Sequence, residues 1–331
     1  MTGVMDSPIL VADIGGTKAR FALSTAGPGR GPRLWAMREF WVDHFDSLAE
    51  AIQYYLTRLR EPLPRRAVIA VASPVSGDHI QFSNSPWSFS TAALQTETGL
   101  EELEVINDFA ALGRAIPHLE AADLRAIGAV PEPLLHDEHE RQCAVLGPGT
   151  GLGVCRIVLR QGPPLVLETE GGHIGFAPAD AYEAAILAFL LRRYPRVSME
   201  RLISGPGLEN LHAAICTIDD SPRSAGGPVE IIAGARRGEA TCTRAVELFC
   251  SILGSFAGDV ALLHGAWHGL YLGGGMTTRL LPWIRNGAFR QRFEAKGRFE
   301  ALMRGIPTHA ITHAQPGLLG AAACALDGFG S

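Results

Sequence analysis

The chain of 331 residues has six cysteines, Cys143, Cys155, Cys216, Cys242, Cys250 and Cys324, with no Cys-x-x-Cys pair and no zinc-ligand spacing among them. That argues against a disulfide framework or a thiolate metal knot and leaves small buried hydrophobes in a reducing compartment. A basic surplus is missing as well. With 29 Lys and Arg against 34 Asp and Glu, the formal charge is −5 and the pI near 6.1. Nucleic acid and anionic membrane are therefore not expected as main partners. No basic segment leading into an apolar one opens the chain, since PILVADIGG (8–16) is short and contains Asp13. The longest apolar stretch, AVELFCSILGSFAGDVALLHGA (245–266), carries Glu247, Asp259 and His264 and reads as a buried core helix rather than a membrane span. Low-complexity tracts and heptads are absent. What is present is 47% hydrophobic and 19% charged residues, the composition of a globular protein with a large core and enough length for two domains. The expectation is a soluble, cytoplasmic enzyme acting on a small molecule.

Strands followed by helices mark a mixed α/β chain. PILVADI (8–14) and TKARFALST (17–25) predict a hairpin around Gly15-Gly16, AGPGRGPR (26–33) a further turn, and RLWAMREFWV a third strand. FDSLAEAIQYYLTRL (45–59) has helical spacing, with Asp46 as the expected N-cap, and RAVIAVAS (66–73) is a buried strand. CAVLGPGTGLGVCRIVL (143–159) repeats the opening pattern of apolar strand, glycine turn and apolar strand. Two such hairpins, bare at their tips, could clamp one anion from two sides. GGG (273–275) follows the strand HGLYL and precedes a helical stretch, LLPWIR. Residues 179–194 predict a helix, 221–228 an exposed loop and 130–142 a charged connector.

Four sets of residues could carry chemistry. In DIGGTKAR the glycines let backbone N–H groups approach phosphate oxygens, Thr17 adds a hydroxyl, and Asp13 at a strand end suits a hydrated Mg²⁺. An ordinary hairpin turn would use the same glycines. GPGTGLG (147–153) shares the ambiguity; no Gly-Lys-Ser/Thr follows, so it is not a P-loop, and a strand rather than a helix comes next, against a dinucleotide fingerprint. ETEGGHIGFAP places Glu170 and His173 three apart, a pair suited to a polyol's hydroxyls, and MERLISGPG adds Glu200. Each has a bland alternative, a loop with a satisfied histidine and a solvated first-turn glutamate. EVINDFAALGRAIP (104–117) sets Asn107-Asp108 inside an apolar run, where a carboxylate either caps a helix or has a chemical task. His136-x-x-His139, in HDEHE, reads as a solvated loop more readily than as a metal site.

DIGGTKAR, SPVSGD (73–78), SNSPWSFS (83–90), VINDFAA, GPGTGLG, EGGH, SMERLISGPGL (198–208), KGRF (296–299) and QPGLLG (315–320) follow one another in this order over nearly the whole chain. Together they resemble the bacterial glucokinases of the hexokinase group, within the actin-like ATPase superfamily. The resemblance implies an α/β, two-domain actin-like ATPase (ribonuclease-H-like) fold with a cleft between a small domain, 1–118 plus 313–331, and a large domain, 119–312. It implies ATP and glucose as substrates, Mg²⁺ as the accompanying ion, and a homodimer. Asn107 and Asp108 match the sugar-binding pair, Asp108 serving as general base on the sugar 6-hydroxyl, with Glu170, His173 and Glu200 as further sugar ligands. Ala12, Asp13, Gly15, Gly16 and Thr17 match one phosphate loop, with Asp13 reaching Mg²⁺ through water. Gly147, Gly149, Thr150 and Gly151 match the other, with Gly273 and Gly274 near the adenosine.

Three positions depart from that pattern. Lys18 stands where relatives often have Asn, Gly175 where an Asp is common, and Ser73 where a Cys is frequent. The GTK triplet resembles the repressor/open-reading-frame/kinase sugar kinases, but their Cys-rich zinc motif is absent, so no zinc is expected. An actin-like chaperone or assembly ATPase would have no use for the polyol set. A sugar-responsive DNA-binding regulator would need a module for which the first strand, beginning within ten residues, leaves no room.

Overall fold

The computed structural model describes residues 7–27, 30–82, 87–129, 140–222 and 225–328. Residues 83–86 of SNSPWSFS, part of the 221–228 loop, and His136 and His139 with most of the charged connector lie outside them. The chain divides into two compact units, one of residues up to Ala121 together with those from His313, the other Ala122–Thr312.

The first unit is built on a five-stranded sheet in the order β3-β2-β1-β4-β7. Its strands are β1 (Ile9–Ile14), β2 (Lys18–Gly27), β3 (Arg30–Trp41), β4 (Arg66–Val71) and β7 (Glu102–Asn107); a separate ribbon pairs β5 (His79–Gln81) with β6 (Ser88–Ser90). β1 pairs antiparallel with β2 and parallel with β4, which pairs parallel with β7. The alternation of the strand explains its two-sided burial. Leu10, Ala12 and Ile14 enter one core with Leu48, Ile52 and Tyr55 of α1 (Leu48–Leu56). Ile9 and Val11 enter another with Leu318, Ala321 and Ala322 of the C-terminal helix, Pro316–Asp327. That helix crosses α3 (Asp108–Ala115) so closely that a Cβ at Gly320 would lie 1.7 Å from the Ala111 carbonyl. α2 (Thr91–Thr98) ends at Gly99, whose φ of +71° is left-handed.

Two sequence expectations shift here. The cap of α1 is Ser47 rather than Asp46: the Ser47 hydroxyl accepts from Glu50 N–H, while Glu50 Oε2 accepts from Asp46 N–H at 2.8 Å. A reciprocal Ser-x-x-Glu cap satisfies two helix-entry donors where Asp46 would satisfy one. The 26–33 turn is also narrower than its composition suggested, because β2 runs to Gly27 and β3 starts at Arg30, opposite it.

The second unit repeats the plan. Its six-stranded sheet has the order β11-β10-β9-β12-β13-β8. The strands are β8 (Leu124–Ala126), β9 (Arg141–Pro148), β10 (Leu152–Leu159), β11 (Leu165–Thr169), β12 (Gly269–Leu272) and β13 (Thr308–Ile311). β9 pairs antiparallel with β10 and parallel with β12, as β1 does with β2 and β4. The faint similarity of the two glycine hairpins thus reflects a common strand arrangement. Around this sheet lie α4 (Ala181–Leu190), α5 (Gly205–Ile218), α6 (Pro228–Arg236), α7 (Ala240–His264), α8 (Gly275–Ile284), α9 (Ala288–Glu294) and α10 (Glu300–Arg304). α7 starts five residues before the apolar stretch and is long and apolar enough to cross a membrane by length and composition, but 61% of its most apolar window is buried within the protein. It is the centre of the core, with Phe249, Leu253 and Phe256 fully covered.

All six cysteines are unbridged and buried. Burial pushes the Cys143 and Cys324 thiols up to about 12 and raises Cys250 further. Because the thiolate is the reactive form, a thiol-titrating disulfide reagent at pH 8 is expected to label none of the six in the folded protein and all six in guanidinium. Rapid labelling of the native chain would contradict this burial.

Candidate active site

In the first unit the chemistry collects where β1, β4 and β7 end, the edge at which parallel α/β sheets present reactive groups. Ile14 is level with Val71, and Val71 with Asn107. Asn107 is the N-cap of α3: its Oδ1 accepts from Phe109 N–H at 2.8 Å and Ala110 N–H at 3.3 Å, and its Nδ2 donates to the Ser73 carbonyl at 3.1 Å. One of the two Nδ2 protons remains for a ligand. The capping alternative therefore holds for Asn107. Asp108, half-buried in the first turn, accepts from Phe109 N–H at 2.9 Å.

Asp13 is opposite Arg20, whose Nη1 lies 3.2 Å from Asp13 Oδ2, and Arg20 Nε in turn donates to Glu39 at 2.8 Å. Burial raises the Asp13 carboxyl above its ordinary pKa, opposed in part by Arg20. A Cβ at Gly317 would lie 2.7 Å from that carboxylate, so the glycine of QPGLLG is what makes room for it. Lys18 pairs with Glu39 and lies 4.9 Å over the Trp41 ring, so its charge is engaged on the strand face. Gly15 N–H donates to Lys18 O at 2.9 Å, but a Cβ on Gly15 would meet only that oxygen, at an ordinary 3.6 Å. The hairpin itself does not demand glycine there. Bare backbone at this tip, beside Ala12, Gly16 and Thr17, remains available to an anion.

In the second unit two further groups of predicted residues converge. Gly149, Thr150 and Gly151 connect β9 to β10, with Gly149 N–H donating to Gly151 O at 2.8 Å. Gly274 has a φ of +80°, and its Cβ would fall 2.5 Å from Pro148 O and 3.1 Å from the Gly147 carbonyl carbon. Gly273 donates to Leu146 O at 2.9 Å and accepts from the Thr277 hydroxyl. Gly273 and Gly274, at the head of α8, thus pack on the end of β9 that leads into the 149–151 turn. Close by, His173 Nε2 is 3.8 Å from Glu170 Oε2 and 4.0 Å from Glu200 Oε2. Their loops pair through Met199 N–H to Ile174 O at 2.9 Å and Phe176 N–H to Val197 O at 3.0 Å. Arg196 Nη1 holds the His173 carbonyl at 2.6 Å, and a Cβ at Gly175 would meet only Arg196, at 4.0 Å. Two acceptors and an imidazole at this spacing can bind several hydroxyls of one polyol.

The family model for glucokinase matches residues 10–328. A glucokinase of Xylella fastidiosa (strain 9a5c) is 44% identical over 323 residues, 97% of this chain and 96% of that one. The chain belongs to the glucokinase family. The crystal structure of a glucokinase from an Antarctic psychrotroph superposes with a TM-score of 0.84 at 36% identity, covering 96% of this chain and 98% of that one. A more distant fold relative, at TM-score 0.63 and 20% identity over 97% of this chain and all of that one, is a glucokinase of the repressor/open-reading-frame/kinase family from Streptomyces griseus, solved with glucose and AMPPNP. The fold is the two-domain actin-like one of these sugar kinases.

Within the glucokinase pattern, sequence reasoning overlooked Arg20, Gly317 and Leu152. Arg20 closes DIGGTKAR and could have been found by counting across the hairpin, which sets it opposite Asp13. Gly317 makes room for the Asp13 carboxylate and Leu152 donates its backbone N–H to Glu200 Oε2 at 3.0 Å, and neither leaves a mark in residue type.

Proposed function

We propose that the chain transfers the γ-phosphoryl group of ATP to the 6-hydroxyl of glucose, with Asp108 as general base. The observation that carries this is the joining of the Glu170–His173–Glu200 polyol cluster to a glycine turn suited to phosphate, in a chain of the glucokinase family. Asn107 donates its remaining Nδ2 proton to the sugar, while Glu170, His173 and Glu200 take the other hydroxyls. Asp108 accepts the 6-hydroxyl proton as that oxygen attacks the γ-phosphorus, and ADP leaves. A positioned base contributes about 10²–10⁴-fold, and alignment with neutralisation of phosphate charge supplies most of the rest.

The donor set around Asp13 suits Mg²⁺, which takes one or two carboxylates beside phosphate oxygens and water. The carboxylate is held against Gly317 and its ionised form is disfavoured by burial, a cost that a cation relieves. When bound, the ion would neutralise charge on the β- and γ-phosphates. The buried thiols suit the reducing cytoplasm in which glycolysis runs.

ADP release measured with Mg-ATP against glucose, mannose, fructose and glucosamine tests this reading. Turnover should require a hexose, with glucose giving the highest kcat/KM. ATP hydrolysis at equal rate with and without sugar would instead place the chain among the actin-like ATPases that have no sugar substrate.

A further inference from the structure

Leu152 is the first residue after the Gly149-Thr150-Gly151 turn, and both sugar-cluster loops hold its backbone. Its N–H donates to Glu200 Oε2 at 3.0 Å. Its carbonyl is pressed on the other loop, so that a Cβ at Gly172 would lie 2.0 Å from it. The turn's other end is held by the segment after Glu200, where Gly205 N–H donates to Gly149 O at 2.8 Å. Gly151 itself is bare against the same carboxylate, a Cβ there falling 2.8 Å from Glu200 Oε2. Glu200 is fixed in its turn, since the Ser204 hydroxyl donates to its carbonyl at 2.7 Å.

A turn with two glycines has many conformations to lose on binding an anion. One held in place at both ends has lost them already, and its N–H groups need no further ordering. We propose that Glu200, besides binding sugar, is a positioning residue for the nucleotide-phosphate turn, so that one carboxylate links the two substrates. This rests on reading residues 149–151 as a phosphate turn. A sugar hydroxyl that fixes the Glu200 side chain also fixes Leu152 N–H and the turn. By reciprocity, a nucleotide that orders the turn orders Glu200 for the sugar.

The decisive measurement is the affinity for Mg-ADP without any sugar, by calorimetry on the full chain. Glu200→Ala is expected to weaken it about tenfold, although Glu200 is assigned no nucleotide contact. Glu170→Ala, in the same cluster but facing His173, should lose glucose affinity and leave Mg-ADP affinity within about twofold of wild type. Glu200→Gln keeps an oxygen for Leu152 N–H and should restore Mg-ADP binding to within about twofold while glucose binding stays weak. Unchanged Mg-ADP affinity in Glu200→Ala would make Glu200 a sugar ligand only, and equal losses in the Ala and Gln variants would overturn the hydrogen-bond link. If Glu200→Ala does not fold, Glu200→Asp, one methylene short of Leu152, should give a smaller loss in the same direction, and no loss there overturns the link too. A wild-type chain that binds glucose but not Mg-ADP would remove the phosphate-turn reading itself, a failure distinct from that of the link.

Discussion

Asp108→Asn is expected to lower kcat for glucose-dependent ADP release by about 10²–10⁴-fold while changing the glucose KM by less than about fivefold. The amide matches the carboxylate in shape and retains an oxygen for Phe109 N–H, which Asp108 now holds at 2.9 Å. The start of α3 does not depend on it, because Asn107 supplies the cap to Phe109 and Ala110. What the substitution removes is a basic oxygen at the place where the hydroxyl proton must go. Steady-state kinetics give kcat and KM, and equilibrium binding of glucose shows whether the sugar still enters. A loss below tenfold, with glucose bound normally, would assign the base to another group.

The second large effect is on stability. Arg290 is 7% exposed, and all five of its N–H groups have partners. Nε donates to Glu294 at 2.5 Å, Nη1 to the Ile306 carbonyl at 2.7 Å and the Thr308 hydroxyl at 3.1 Å, and Nη2 to the carbonyls of Met303 at 3.0 Å and Arg304 at 2.9 Å. One planar fork thus closes the C-terminus of α10, whose last carbonyls have no partner within the helix, and ties α9 to the approach to β13. Thr308 in turn donates to the Ile127 carbonyl at 2.7 Å, which carries the network to the residue after β8. Arg290→Met keeps much of the stem and leaves the buried Ile306 and Met303 carbonyls and the part-buried Arg304 carbonyl without their guanidinium donor, while the part-exposed Glu294 keeps its contact with Arg304. The expected loss is about 2–4 kcal/mol, read as a lower midpoint in urea unfolding. Lysine has a point charge and three donors on a flexible stem, so Arg290→Lys should recover less than half of it. A midpoint unchanged within error in Arg290→Met would show that the fork is dispensable.

Much of the candidate site was legible without coordinates because its logic is local. A polar pair between an apolar strand and an apolar helix predicts a cap, and Asn107 is one; the remaining question, which of the pair caps, needed the hydrogen bonds. The glycine hairpins announced themselves by bare residues between two apolar runs, and the strands pair as expected. The cap of α1 was misplaced by one residue, since Ser47 and Asp46 are both good caps and only Glu50, reaching back, decides between them. α7 begins before the apolar run because polar residues on its exposed side still continue the helix.

From sequence alone came the α/β class, the order of motifs over the chain, the buried polar pair, the polyol set and the glycine turns, while the base role of Asp108 came from the resemblance those motifs carry. The motifs themselves depend on residue types spaced by a strand, a turn or a helix, where backbone geometry fixes what neighbours whatever the rest of the chain does. Tertiary structure decided what those groups lean on. Glu200 meets Leu152 across 48 residues, Asp13 meets the bare face of Gly317 from the other end of the chain, and Gly320 lets the C-terminal helix onto Ala111. Such contacts are set by how helices and sheets pack, and packing is a property of whole faces. A single glycine or backbone N–H in the sequence carries no sign of which face it will meet.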